Sequence, residues 1–129
     1  MQTSKLNDLA LLVARMLLAA IFIKGGWDKF WGYQEAATYM TRGGVPGVLL
    51  PLVIFTEFVG GLLILIGWQT RCAALALAGF TVVAAYFFHW DFGNRGQVIQ
   101  LYKNLAMAGG FLALFASGAG AYSVDGRRT

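Results

Sequence analysis

Two opposite charges stand inside long apolar runs, Arg15 within residues 9–23 and Glu57 within residues 48–66. If each run crosses a hydrocarbon layer, each charge lies near the midplane. There an ionised side chain costs about 2.5–3.5 kcal/mol on insertion scales. Opposite charges at matching depth on adjacent antiparallel helices offset much of that cost by pairing. Gly60 and Gly61 follow Glu57 by three and four residues, so they share its helical face. Small residues there let a second backbone come close, which turns this face inward. The chemistry open to the two charges is a buried ion pair that sets helix register or a ligand or proton site.

A second polar group gathers where the chain, followed up and down, reaches one surface. Lys24 and Asp28 end the first run at i, i+4 spacing. His89 and Asp91 close the third, and Tyr102, Lys103 and Asn104 open the fourth. His89 is the only histidine and can exchange a proton near neutral pH. The group reads either as ordinary snorkelling and interface anchoring or as a half-buried pocket for a polar headgroup. No catalytic residue is assigned, and one His and one Cys cannot supply a typical transition-metal site. Cys72 excludes an intrachain disulfide and is expected to be a small buried thiol.

The elements that must carry these residues follow from composition. Of 129 residues, 58% are hydrophobic and only 12% are charged, and the mean hydropathy is +0.63. A soluble domain is nearer a quarter charged, and so short a chain cannot hide this apolar excess in its own core. Lipid must cover it. Four apolar stretches, about 8–27, 47–67, 72–90 and 98–117, are each near the ~20 residues that a crossing needs. The expected fold is all-α, an integral membrane four-helix bundle in one domain over residues 1–129. Arg15 in its middle, and no clear Ala-x-Ala site at its end, make the first stretch an expected retained helix rather than a signal peptide.

Residues 67–71 make a tight turn, so the second and third spans form a hairpin. Residues 28–46 mix aromatic with polar side chains and suit a short interfacial helix between the first two spans. Trp27, Trp31, Trp68 and Trp90 fall near span ends, as an aromatic belt requires. Gly109, Gly110, Ala113 and Ser117 form a small-residue ridge expected to pack against another helix. The net charge of +4 comes from scattered rather than clustered basic residues, so nucleic acid is excluded as a partner and membrane lipid is implied. An even number of crossings puts both termini on one side. Once Lys24 and Lys103 are discounted as partly embedded, the charge count leans to the cytoplasmic side.

The order of several short motifs resembles the DoxX family of small bacterial inner-membrane proteins. They are Arg15 followed by Lys24-Gly25-Gly26-Trp27-Asp28-Lys29-Phe30, then Gly44-Val45-Pro46-Gly47, Glu57-Phe58-Val59-Gly60-Gly61-Leu62 and Gly67-Trp68-Gln69-Thr70-Arg71. Lys103-Asn104-Leu105-Ala106 and the tail 118–123 fit as well, so the resemblance covers nearly the whole chain. It implies an inner-membrane location and a link to quinone and thiol redox chemistry. Some relatives are the small membrane subunit of a thiosulfate:quinone oxidoreductase, and others are associated with resistance to catechols and quinones.

Two functional readings result. In the first the chain is a quinone-associated accessory subunit of a redox system rather than a self-sufficient enzyme. Its ligand residues are Arg15, Lys24, Asp28, Glu57, His89, Lys103 and Asn104. Lys, His and Asn donate hydrogen bonds that quinone carbonyls accept, and Trp27, Phe88, Trp90 and Tyr102 would surround the ring. In the second it is a non-catalytic scaffold that docks a soluble partner enzyme or forms a homo-oligomer. The lack of a cysteine pair argues against a disulfide relay in either. Reporter fusions after Gly32, Gln69, Asn94 and Thr129 are expected to alternate across the membrane, with Gln69 and Thr129 agreeing. Opposite locations for Gln69 and Thr129 would sink the four-span reading.

Overall fold

The computed structural model describes residues 2–89 and 91–127. Four long helices dominate: α1 (Gln2–Trp31), α3 (Leu50–Ile66), α4 (Thr70–Phe88) and α5 (Arg95–Ser117). Each is long and apolar enough to cross a membrane, α3 when counted from Gly47. A short helix α2 (Tyr33–Arg42) and one 3-10 turn (Gly47–Leu49) join α1 to α3, and a four-residue α6 (Val124–Arg127) ends the described chain. The fold is the expected all-α membrane bundle, with α2 in the place of the interfacial segment.

The bundle is two antiparallel pairs, α1 with α3 and α4 with α5, joined mainly through α3 and α4. The α1–α3 seam is the closest. A Cβ on Gly26 would lie 2.8 Å from Phe58 Cβ and 2.9 Å from the Phe58 backbone nitrogen. Only glycine permits that approach, and the Gly61 face of α3 likewise meets Ile23 and Ala19. Alanines on one face of α4 (Ala73, Ala74, Ala78) pack with Leu77, Phe22, Ile64, Phe111 and Leu114 as the core. Phe22 meets Phe111 edge-on at 5.4 Å between centroids.

Helix ends follow from local chemistry. Gly67 takes φ 74° at the end of α3, the left-handed turn that glycine tolerates best. Gly67 N and Trp68 N both donate to Leu63 O. The start of α4 is capped from far along the chain: Asp125 accepts from Gln69 N at 3.1 Å and Thr70 N at 2.9 Å. Asn94 caps α5 by accepting from Gln97 N at 3.2 Å. This cap starts α5 three residues before the expected span.

The structure corrects three other expectations. Helix α1 runs well past residues 8–27 at both ends, because polar residues near an interface do not stop a helix that has no proline or capping stop. Cys72 is exposed rather than buried, since Ala73, Ala74 and Leu77 take the inward face. Of the ridge, Gly109, Ala113 and Ser117 face outward, while Gly110 packs against Leu18 of α1 as expected. Trp27, Trp31 and Trp68 are exposed at helix ends, whereas Trp90 lies outside the described residues.

The seam makes a direct prediction. Gly26→Leu is expected to lower stability in thermal unfolding, because forced overpacking costs about 1–3 kcal/mol. A Cβ at Gly109 meets nothing within 4 Å, so Gly109→Ala is expected to be neutral or to gain up to ~1 kcal/mol of helix propensity. Equal losses from both would refute the close α1–α3 approach.

Candidate functional site

Glu57 lies on the inward face of α3, where Gly25 leaves room for a carboxylate. A Cβ on Gly25 would stand 2.9 Å from Glu57 Oε2. One turn further along α1, Lys29 reaches back and places Nζ 2.7 Å from Glu57 Oε1. The i, i+4 spacing of Gly25 and Lys29 thus makes both the slot and the counter-ion on one face. The Glu57 side chain is 8% exposed and that of Lys29 is 34% exposed. The carboxylate is therefore built into the bundle, and the ammonium reaches in from its edge.

Against this pair lies a cavity of about 790 Å³, bounded by the end of α1, by α2 and by α3 and α4. Helix α2 contributes Glu35, Ala36, Tyr39 and Met40, α3 contributes Leu52 and Val53, and α4 contributes Phe80, Val83, Phe87 and Phe88. Tyr39 stacks on Phe88 at 4.9 Å and 21°, which ties α2 to α4 along one edge. Volumes of 300–1,000 Å³ with apolar walls and few polar groups are typical of small-molecule sites. A second cavity of about 150 Å³ shares Glu57 and Phe80 and is bounded also by Phe22, Thr81, Asn104 and Met107. Its polar wall is ordered, because Asn104 Nδ2 donates to Thr81 O at 3.2 Å. Glu57 therefore borders both spaces.

The sequence-predicted residues divide among different places. Asp28 and Glu57 line the larger cavity, and Asn104 joins Glu57 at the smaller one. Lys24 pairs with Asp28 at 2.8 Å on the exposed side of α1. His89 Nδ1 lies 2.6 Å from Gln97 Oε1, and Lys103 is exposed. Among the described residues Lys24, His89 and Lys103 line neither of these cavities, so neither space brings them together with Asn104. Successive residues on α5 point different ways, which is why Lys103 faces out while Asn104 is buried.

Arg15 is a second correction, because it does not pair with Glu57. It is fully buried, and its guanidinium donates to Ile64 O at 3.2 Å, Leu65 O at 2.8 Å and Tyr122 O at 2.5 Å. The first two carbonyls are those left over when Gly67 N and Trp68 N both return to Leu63 O. A cation at a helix C-terminus also complements its dipole. The glycine seam sets Gly26 opposite Phe58, which leaves Arg15 level with the end of α3. That is about ten residues, roughly 15 Å, from the depth of Glu57. The acidic group whose charge acts on Arg15 is Asp125.

Lys29 and Tyr39 were not singled out by sequence reasoning. The available signal was Gly25 and Lys29 at i, i+4 in the helix that must face Glu57.

The DoxX family model matches residues 10–90. The chain belongs to the DoxX family. The matched stretch contains every residue lining the larger cavity. This DoxX protein is 50% identical over 121 residues to "Inner membrane protein YqjF" of Escherichia coli (strain K12), covering 94% of this chain and 93% of that one. It is 34% identical over 124 residues to "Inner membrane protein YphA" of the same organism, covering 91% and 89%. An uncharacterized protein of Haemophilus influenzae is 31% identical over 121 residues, covering 88% and 86%. No solved structure matches the chain. With four apolar helices and these relatives, the DoxX chain is a multi-pass inner-membrane protein.

Double-mutant cycles can separate the two buried charges. Lys29→Ala and Glu57→Ala are expected to show a coupling of at least ~1 kcal/mol, since each removes the other's partner. Arg15→Leu removes hydrogen bonds to a charged group, each worth about 1.5–3 kcal/mol. Its loss is expected to add to that of Glu57→Ala within ~0.5 kcal/mol. Strong coupling between Arg15 and Glu57 in thermal unfolding would overturn this assignment.

Proposed function

We propose that this DoxX protein is an accessory subunit of a membrane redox system and holds a quinone-type headgroup in the cavity under α2. The observation that carries the reading is the 790 Å³ cavity with aromatic and aliphatic walls and the Lys29–Glu57 pair at its polar end. Lys29 Nζ carries three donor hydrogens and, among the described residues, pairs with one carboxylate, Glu57. A quinone carbonyl can therefore accept from it while Glu57 stays paired. Tyr39, Phe80, Phe87 and Phe88 supply apolar and aromatic surface for a flat ring. Asp28 and Glu35 line the same space, and Asn104 lies beyond Glu57 on the smaller cavity.

The chain's own contribution would be to bind and orient the headgroup. With one cysteine it has no dithiol pair to cycle, so a partner enzyme would exchange the electrons. We place both termini on the cytoplasmic side, following the balance of charges in the connecting segments.

Titration of the protein in nanodiscs with a short-chain quinone analogue, followed by calorimetry, tests the reading. Saturable binding is expected, weakened about tenfold in Lys29→Met by loss of one donor to a carbonyl. His89→Ala with Lys103→Ala is expected to leave it unchanged, because neither residue lines the cavity. Binding that ignores Lys29→Met but is lost in the His89, Lys103 variant would move the headgroup to the outer surface.

A further inference from the structure

We propose that the larger cavity also binds amphiphilic ammonium compounds, a primary amine cation carried on an aromatic or aliphatic body. The inference rests on the cavity itself and not on the quinone reading. Its starting point is that the site already holds such a group. Lys29 Nζ lies 2.7 Å from Glu57 Oε1, so an ammonium on a flexible alkyl chain occupies a buried carboxylate at the edge of an apolar space. The chain supplies its own stand-in for the ligand.

An external ammonium can replace Lys29 at that carboxylate without changing the local charge. Removing one partner of a buried pair is costly because it strands the other, and an exchange of cations avoids that. The two members of the pair differ in freedom: Glu57 is 8% exposed, whereas Lys29 is 34% exposed at the cavity edge. Once displaced, Lys29 can turn its head to water while its alkyl stem stays on apolar surface. The ligand's body would then fill volume that the lysine chain leaves open, next to Tyr39, Phe80, Phe87 and Phe88. Aromatic faces within about 6 Å of a cation attract it.

The remaining charges on the cavity point the same way. Asp28 is paired with Lys24, and Glu35 adds a further carboxylate from α2. An anionic headgroup would meet carboxylates on three helices, and a neutral alcohol would gain no ionic contact. The site therefore ranks one body by its head: ammonium first, alcohol second, carboxylate last.

The test uses 4-phenylbutylammonium, 4-phenylbutanol and 4-phenylbutyrate against the full chain in nanodiscs, with empty nanodiscs as the partition blank. The ammonium is expected to bind saturably and about tenfold more tightly than the alcohol, with no saturable binding of the carboxylate. Lys29→Met is expected to tighten ammonium binding, the opposite of its effect on a quinone analogue, and Glu57→Gln to abolish the preference for charge. Equal binding of ammonium and alcohol by the unmodified protein, or a preference that survives Glu57→Gln, would overturn the inference. The unmodified protein decides the charge ranking even if a variant fails to fold. A quinone analogue that binds in samples showing no charge ranking would sink this inference alone. If neither ligand binds, both readings fall with the cavity.

Discussion

Helices α1 and α3 touch almost backbone to backbone at Gly26 and Gly61, and this contact sets the position of nearly everything else. With no side chain at Gly26, Phe58 can lie directly against α1, and the register of the pair has little room to slide. That register brings Glu57 over Gly25 and within reach of Lys29. It also carries Arg15 away from Glu57 to the end of α3. In a lipid environment, close packing of this kind is a main source of helix association, because burial of apolar surface adds little there.

The two ends of the bundle are built differently. At the end where the described chain begins and finishes, the tail is tied down by several long-range polar contacts. Ala121 N donates to Asp8 Oδ1 at 3.1 Å, Tyr122 O accepts from Arg15, and Asp125 caps α4. The Asp125 bonds satisfy backbone N–H groups that the start of α4 leaves unpaired. At the other end α2 is held by lighter means, the Tyr39–Phe88 stack and the packing of Gly43 against Phe88. The cavity lies at this end, between α2 and the long helices.

Buried charge follows one rule at both places. Arg15 is held by carbonyls and a nearby carboxylate, and Glu57 by one ammonium, so neither is left alone in a low-dielectric interior. The difference is in reach. The partners of Arg15 are backbone atoms that cannot leave, while the partner of Glu57 is a flexible side chain at the bundle edge. A structural charge and an exchangeable one are distinguished here by the mobility of their counter-ions.

Composition and hydropathy by themselves determined the membrane setting, the four spans, the hairpin at Gly67 and the short amphipathic helix, because these depend on local residue patterns and on the thickness of a bilayer. The family was legible in the same way, from short motifs in a fixed order. The inward direction of Glu57 could be read from Gly60 and Gly61. The partner of Glu57 could not, since hydropathy locates a span only to within a few residues and matching two span centres implies a pairing that the glycine seam forbids. Only the tertiary structure decided that Lys29, and not Arg15, faces Glu57. The same holds for Cys72 and the Gly109 ridge facing outward and for Lys103 and Asn104 separating. Each of these outcomes depends on which face of a helix meets its neighbour and at what height, a choice set by contacts between residues far apart in the chain.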